Sequence, residues 1–317
     1  MTCAAARRAG RALACAAAAV LVFALVRRMP LADVAAALRA SDPVPLALAV
    51  AVYLTANTAA KAQRWAALLR PVARSGPPVC GVELAKVLFA SQATSNLLPA
   101  RAGEAVRVVE LGRRGYAVPG LLAAQLLEKI VEAASLCLVS GLAAAAVGMP
   151  PILRIPVWTV ALLGGALILA IALLRFLPAW RKEPSGRVGA FLARFAAGMD
   201  GVASPAVWPR SLLWSCASDL ADAAVLGLCL QSSGVHLGLA AWLVVLLAIN
   251  VAILVPSTPA HLGILEAGAG AALMALGVPP ARALAGAVLY HAVQVLPSTV
   301  LGLAVLRNRW IRRRSTA

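Results

Sequence analysis

The chain has 317 residues, of which 62% are hydrophobic and 13% are charged, and its mean hydropathy is +0.88. This composition excludes an ordinary soluble domain, and several apolar runs reach the roughly 20 residues that a helix needs to cross a bilayer. The net charge of +17 does not indicate nucleic-acid binding, because only 5% of residues are aromatic and the Arg residues flank apolar segments. We therefore expect an all-α, polytopic membrane protein with one domain over residues 1–317 and no nucleic-acid partner.

Hydropathy predicts six full membrane spans and four shorter apolar pieces. The full spans lie near residues 12–26, 44–60, 119–147, 156–174, 211–230 and 283–306. The shorter pieces form two pairs, 81–98 with 103–116 and 239–256 with 262–277. A helix of about 16 residues is about 24 Å long, less than the roughly 30 Å of hydrocarbon, so each pair predicts a re-entrant or broken-helix hairpin. About eight membrane segments result, and tilted full spans are the alternative interpretation.

Charge placement predicts the orientation of these segments. Arg7, Arg8 and Arg11 precede the first apolar run, and Arg27 and Arg28 follow it without a convincing cleavage site, which favours an uncleaved span over a signal peptide. With both termini cytoplasmic, most of the 29 Lys and Arg residues fall on the cytoplasmic side. The first cytoplasmic loop is then expected to contain Lys61, Arg64, Arg70 and Arg74.

Two short stretches, residues 95–107 and 255–266, break the apolar segments with Pro, Gly and charge. Hydrocarbon cannot hydrogen-bond an unpaired backbone, so such breaks persist at membrane depth only inside protein or beside a water-filled cavity, and they commonly line transport sites. The residues expected to shape the two hairpins are Pro99 and Gly103, then Pro256, Pro259 and Gly263. Both breaks show a Pro, Gly and Glu in that order, which inverted repeats and chance similarity explain equally well.

Charges near mid-bilayer cost on the order of 2.5 to 3.5 kcal/mol each, so they need partners or a wet cavity. The candidate substrate-binding residues are therefore the polar residues of the apolar segments: Asn96, Arg101, Glu104, Arg107, Glu128, Lys129, Glu132, Asp219, Asp222 and Glu266. The helix start after the first break suits a phosphate or carboxylate, which Arg101 and Arg107 would grip while Glu104 pairs with one of them. Alternatively, Glu104 caps the helix and both Arg residues lie in the interface.

Two carboxylate pairs lie deeper in the predicted spans. Glu128 and Glu132 share one helix face, and Lys129 can reach Glu132 across one turn. A structural ion pair, a headgroup lining and a proton-coupling carboxylate are all compatible with this pattern. Asp219 and Asp222 share another face, where they either couple to a proton or cation or pair with Lys129 or an Arg of the first hairpin.

The remaining features are less informative. The basic segment 175–210 predicts an amphipathic helix on the inner leaflet, as a lipid-recognition element or a topology anchor. Asn57 and Gln294 are expected to bond between helices, whereas His291 has no obvious partner. The six Cys residues show no metal-site spacing, and no ATPase, zinc-protease or serine-hydrolase motif occurs, so neither a metal nor a cofactor is expected.

The chain resembles the flippase-like integral membrane family named after the transmembrane region of lysylphosphatidylglycerol synthase. The strongest match runs through Asn96, Pro99, Arg101, Gly103, Glu104 and Arg107, followed by Glu128 and Lys129, where members often have Glu-Arg. A second motif is similar at Pro256, Pro259, Gly263 and Glu266, with Ala260 and His261 where a Gly-Gly pair is usual.

This resemblance implies a multi-pass protein of the bacterial or archaeal inner membrane that handles lipids. In the fused synthases this region is thought to flip aminoacylated phosphatidylglycerol, and no aminoacyl-transferase domain is expected here. The leading interpretation is a translocase for an anionic phospholipid or a polyprenyl-phosphate-linked lipid. The alternatives are a membrane enzyme that modifies a headgroup, with Glu104 or Glu128 as general base, and a non-catalytic partner of an envelope-lipid biosynthetic enzyme.

Overall fold

A computed structural model describes residues 31–98, 102–147, 186–202, 204, 206–254 and 259–314, and its regular elements there are all helical. In chain order the helices are α1 (Leu31–Arg39), α2 (Pro43–Leu69), α3 (Gly81–Leu97), α4 (Ala102–Gly112), α5 (Val118–Val147), α6 (Gly186–Val202), α7 (Trp208–Ser232), α8 (Leu239–Ala252), α9 (Ile264–Ala275) and α10 (Pro280–Arg314). Three of them, α2, α7 and α10, are long and apolar enough to cross a membrane. The all-α membrane fold is confirmed, whereas the number of spans stays a prediction.

Several predicted features lie outside the described residues. They are the spans near 12–26 and 156–174 and the residues Pro99, Arg101 and Pro256.

Helix α2 is longer than the predicted span at 44–60. Asp42 caps its start by accepting a hydrogen bond from the Val44 amide at 2.9 Å, and a π-helical turn spans Tyr53–Asn57 before the helix continues to Leu69. Lys61 and Arg64 therefore lie within this helix and not in the loop in which they were expected, whereas their side of the membrane stays a prediction. With Asn57 they recur at helical spacing, so one face of an unbroken helix carries all three polar side chains into the bundle.

The first hairpin consists of α3 and α4, which pack closely against each other. The Ser91 hydroxyl donates a hydrogen bond to the Gly103 carbonyl at 2.8 Å. A side chain at Gly103 would overlap the Ser91 carbonyl oxygen, so glycine is needed here for the close approach of the two backbones.

The second hairpin consists of α8 and α9, which pack together and flank a 3-10 turn at Pro259–His261. Gly263 precedes α9 with a φ of 85°, a left-handed conformation that glycine adopts without strain. Ala260 and His261 also have positive φ, 53° and 59°, although both carry a Cβ. In the family that the sequence resembles, a Gly-Gly pair is usual at these two positions. Glycine adopts a left-handed backbone more easily than residues with a Cβ, which explains its use there.

The two hairpins meet on α10. Helices α3 and α9 both contact α10, and the 3-10 turn Pro259–His261 contacts α3. Near the end of α3, the Asn96 side-chain amide donates to Ser298 at 3.2 Å and to Thr299 at 2.9 Å. The broken segments thus lie together around one continuous helix, while an inverted repeat stays a prediction.

Helix α6 lies within the basic segment 175–210, in which an amphipathic helix was expected. It packs against α5, and at the contact a Cβ added to Gly198 would lie 3.1 Å from the Gly120 Cα. The helix is therefore attached to the bundle along one face, which limits the surface that it can offer to lipid.

Candidate functional site

A buried ion network joins α2, α4 and α5 around the Glu128 carboxylate. Oε1 of Glu128 accepts hydrogen bonds from Arg64 Nη2 at 2.8 Å and from Trp65 Nε1 at 2.6 Å, and Oε2 accepts one from Arg107 Nη1 at 2.6 Å. The side chains of Glu128 and Arg64 are each only 3% exposed. Opposite charges and complete hydrogen bonding to the carboxylate offset the desolvation that burial imposes on these groups.

Glu132 connects this buried network to side chains that are partly exposed. Arg64 Nη2 also lies 2.5 Å from Glu132 Oε1, and Lys129 donates to Glu132 Oε2 at 3.0 Å, the contact that the sequence predicted across one helical turn. Lys129 Nζ lies 3.7 Å from Glu104 Oε1, and the Lys129 side chain is 39% exposed. The network therefore has a buried half at Arg64 and Glu128 and a half-exposed edge at Lys129, Glu132 and Glu104.

Arg107 connects the first hairpin to this network. Its guanidinium carbon lies 4.6 Å from the centre of the Trp65 ring, and its side chain is 11% exposed. Arg107 pairs with Glu128 on α5 at 2.6 Å. The other Arg that was expected to pair with Glu104, Arg101, lies outside the described residues.

The second carboxylate pair lies on α7. Asp219 Oδ2 is 2.6 Å from the Ser135 hydroxyl, and Asp222 Oδ1 accepts a hydrogen bond from Gln294 Nε2 at 2.8 Å. Among the residues that the structure describes, Asp219 pairs with neither Lys129 nor Arg107, and Arg101 of the first hairpin lies outside them. Asp219 instead faces a neutral hydroxyl on α5, because the rotation of α5 brings Ser135 to it.

Polar groups of α2 link the ion network to this pair. Arg64 Nη1 donates to the Ser215 hydroxyl at 3.3 Å, and Asn57 Nδ2 donates to the Ser218 carbonyl at 3.3 Å, an interhelical bond of the predicted kind. The Arg64 guanidinium therefore contacts both helices that carry a carboxylate pair: α5 through Glu128 and Glu132, and α7 through Ser215.

A third cluster of hydrogen-bonded polar groups lies at the second break. The Gly263 amide donates to Glu266 Oε2 at 2.8 Å, His291 Nδ1 lies 2.6 Å from Glu266 Oε1, and His291 Nε2 lies 2.8 Å from the Ala260 carbonyl oxygen. Both ring nitrogens lie within hydrogen-bonding distance of oxygen atoms, so the imidazole bridges the Glu266 carboxyl group and the Ala260 carbonyl. The interpretation that His291 has no partner was wrong, and Glu266 binds the hairpin to α10.

The structure thus brings five of the predicted site residues into one network: Glu104, Arg107, Glu128, Lys129 and Glu132. Asp219 and Asp222 adjoin it on α7, whereas Asn96 and Glu266 bond to α10 or to the second break. Sequence reasoning missed four participants: Arg64, Trp65, Ser135 and His291. The signal for Arg64 was present, because Asn57, Lys61 and Arg64 follow a helical period beyond the predicted end of the span.

Within the described residues no group of three or more His, Cys, Asp or Glu side chains is arranged to hold a metal ion. Together, the apolar spans, the two broken-helix hairpins and the buried ion network define a polytopic helical membrane protein with a charged interior. The family model described as "Lysylphosphatidylglycerol synthase TM region" matches residues 11–302, and the chain belongs to this family. Among proteins of curated function, none matches this chain. Family membership associates the protein with lipid headgroup modification or transport.

Proposed function

We propose that the protein translocates an anionic or phosphate-bearing envelope lipid between the leaflets of the inner membrane of a bacterial or archaeal cell. One observation carries this proposal: Arg64 and Arg107 bind the Glu128 carboxylate, and Lys129 pairs with Glu132 one turn further along α5. Glu128 lies ten residues after the start of α5, about 15 Å along the helix, which is roughly half of the hydrocarbon thickness.

The three cations differ in exposure, which suits a headgroup that enters from the half-exposed edge at Lys129. A phosphate would first meet Lys129, which is 39% exposed, and then Arg107, whose present partner is a carboxylate. Phosphate and carboxylate oxygens bind a guanidinium in the same way, so the headgroup competes with Glu128 for Arg107. Trp65 lies beneath the guanidinium and holds its plane in position during that exchange. Arg64 stays with Glu128 and keeps the carboxylate charge compensated.

The hairpins supply a boundary between this polar interior and lipid. Leu97 and Leu98 are exposed at the end of α3, and Leu262 is exposed beside the second break. Apolar side chains at these positions suit contact with acyl chains, while the headgroup passes through protein. The proposed pathway therefore keeps the acyl chains in lipid and the charge beside α4 and α5.

Modification of a headgroup by a general base in this network has weaker support. Glu128 already accepts three hydrogen bonds from charged or aromatic donors, so a substrate proton would have to displace one of them. Glu104, the other predicted base, lies beside Lys129 at 3.7 Å. Movement of the intact lipid requires no free base, and it is the function that we favour.

The test is a leaflet-accessibility assay on purified protein in liposomes. Fluorescent anionic phospholipid, fluorescent polyprenyl phosphate and a zwitterionic lipid are each offered in one leaflet, and their arrival in the other leaflet is measured over time. The variant Arg107→Gln is expected to slow crossing of the anionic lipid about tenfold or more. The matched control is Arg113→Gln, in the turn directly after α4, whose side chain is 51% exposed and pairs with Glu110 at 3.3 Å. We expect this control to retain the wild-type rate.

Equal rates for wild type and a folded Arg107→Gln would refute the proposal. Recovery of a chemically altered lipid would support the enzyme interpretation instead. If no lipid crosses or changes, and network variants still complement a deletion strain, the role of non-catalytic partner is favoured.

A further inference from the structure

We propose that Lys61 and Asp222 form a second headgroup site, in which Lys61 binds a phosphate and Asp222 accepts hydrogen bonds from hydroxyl groups next to that phosphate. The ligand is the anionic lipid of the proposed function, on which this inference rests. Its chemical class is thereby narrowed to a phosphate lipid with a polyol headgroup, either glycerol or a sugar. Among the described residues, the ion pairs around Glu128 involve neither Lys61 nor Asp222.

Lys61 faces the interior of the bundle because of the π-helical turn in α2. Its Nζ lies 5.9 Å from the centre of the Tyr53 ring, and Tyr53 is buried, at 2% exposure. Eight residues of regular α-helix would rotate Lys61 about 80° away from Tyr53. The π turn Tyr53–Asn57 takes up one of these residues, so Lys61 stands about two full turns after Tyr53 and on the same face.

Lys61 differs from the cations of the ion network in its partners. Arg64, Arg107 and Lys129 each bind a carboxylate, whereas among the described residues Lys61 has neither an ion pair nor a hydrogen bond. Its cation–π contact with Tyr53 compensates only part of the cost of placing an ammonium group at membrane depth. Lys61 is partly exposed, so an anion can reach it and supply the missing partner.

Asp222 of α7 is the carboxylate that faces Lys61. The two charges are close enough to interact, yet no ion pair joins them in the part of the chain that the structure describes. Gln294 Nε2 donates to Asp222 Oδ1 at 2.8 Å, and Tyr290 also bonds to this carboxylate. A carboxylate can accept about four hydrogen bonds, so acceptor capacity remains for a ligand. Asp222 is partly exposed, as Lys61 is, so one headgroup can contact both residues.

The charge of Asp222 determines which group can bind beside the phosphate. A second anionic group would be repelled, whereas a hydroxyl group donates a charge-assisted hydrogen bond to a carboxylate. An ammonium group would also suit Asp222, but it would make the headgroup zwitterionic, and the proposed substrate is anionic. Hydroxyl groups are neutral donors, and both glycerol and sugar headgroups carry them next to the phosphate.

The second site adjoins the ion network along α2. Lys61 precedes Arg64 by three residues, a rise of about 4.5 Å. A headgroup that leaves Arg107 and the ion network therefore finds another cation within one helical turn of Arg64. The two sites together provide successive contacts for one phosphate on its way through the bundle.

The test is lipid binding to the detergent-purified protein, measured by native mass spectrometry. Phosphatidylglycerol is compared with phosphatidylethanol, which has the same phosphodiester charge but no hydroxyl group. A sugar-bearing polyprenyl phosphate and plain polyprenyl phosphate form the second pair, and the pair that binds more tightly identifies the lipid source. The wild type should favour the hydroxyl-bearing member of that pair about fivefold. Asp222→Ala should abolish this preference, and Lys61→Gln should weaken binding of both members about tenfold.

Two further variants separate binding from folding. Lys61→Arg keeps the positive charge and should retain most of the affinity. The matched control is Lys86→Gln, which removes a Lys that is 48% exposed and pairs with Glu83 at 2.5 Å, and it should bind lipid as the wild type does. If Asp222→Ala does not fold, Asp222→Asn must reduce the preference, because it removes the charge of the acceptor. If Lys61→Gln does not fold, its combination with Asp222→Asn must show the loss of affinity.

Unchanged affinity in folded Lys61→Gln, or equal binding of both members of each pair by the wild type, would overturn the second site. Loss of stability in Lys61→Gln without loss of affinity would reduce Lys61 to a counter-charge for Asp222. Crossing that requires Arg107, with binding that ignores Lys61 and Asp222, would leave the translocase standing and remove the second site. Binding that depends on both residues in a protein that moves no lipid would support the site and count against the translocase.

Discussion

Replacement of Glu128 by Gln removes the charge at the centre of the ion network while keeping the shape of the side chain. Gln can still accept the hydrogen bond from Trp65 Nε1, which lies 2.6 Å from Oε1. The variant therefore tests the charge of Glu128 rather than its packing. Two guanidinium groups lose their carboxylate, Arg64 at 2.8 Å and Arg107 at 2.6 Å.

The magnitude follows from the burial of these partners. Removing one member of a buried ion pair costs about 3–5 kcal/mol, because the other charge stays buried without compensation. The effects of the two broken pairs will not add, since Arg64 keeps Glu132 at 2.5 Å and Arg107 lies closer to the open edge. We therefore expect the free energy of unfolding of Glu128→Gln to fall by about 3–5 kcal/mol in total.

The measurement is reversible unfolding of the purified protein in mixed micelles. The matched control is Glu83→Gln, which also loses two cation partners, Lys86 at 2.5 Å and Arg114 at 2.8 Å, at a partly exposed position. Such pairs contribute about 0–1 kcal/mol each, so the control should change little. Adding Arg107→Gln to Glu128→Gln should recover part of the loss, because it removes one uncompensated charge. A loss for Glu128→Gln as small as that of the control would refute the view that the buried network stabilises the fold.

Two further predictions concern the hairpins, and both are measured by the same unfolding experiment. Gly103→Ala is expected to destabilise the protein by about 1–3 kcal/mol, because the new methyl group overlaps the Ser91 carbonyl oxygen, whereas Gly141→Ala, a helical site with open space around it, should stabilise slightly. An unaffected Gly103→Ala would contradict the close approach of α3 and α4. Ala260→Gly is expected to stabilise the protein by up to about 1 kcal/mol by relieving the φ of 53°, and a clear loss of stability would contradict that explanation.

The agreement between predicted and observed hairpin helices has a simple cause. The first hairpin was expected at 81–98 and 103–116 and is found at Gly81–Leu97 and Ala102–Gly112. Pro, Gly and charge are local signals, and a bilayer permits few ways to accommodate them. The end of α2 was mispredicted for the opposite reason. Two charges directly after an apolar run, Lys61 and Arg64, indicate a loop unless their contacts with other helices are known.

The sequence by itself determined the class of protein, the positions of the breaks and the family, because all three depend on composition and on short runs of residues. It also identified the charged residues of the predicted apolar segments, although it placed Lys61 and Arg64 in a loop. Only the tertiary structure decided which charges pair: Arg64 meets Glu128, 64 residues away, and His291 meets Glu266, 25 residues away. These contacts depend on how each helix is rotated and packed in the bundle, and that rotation is a property of all the helices together.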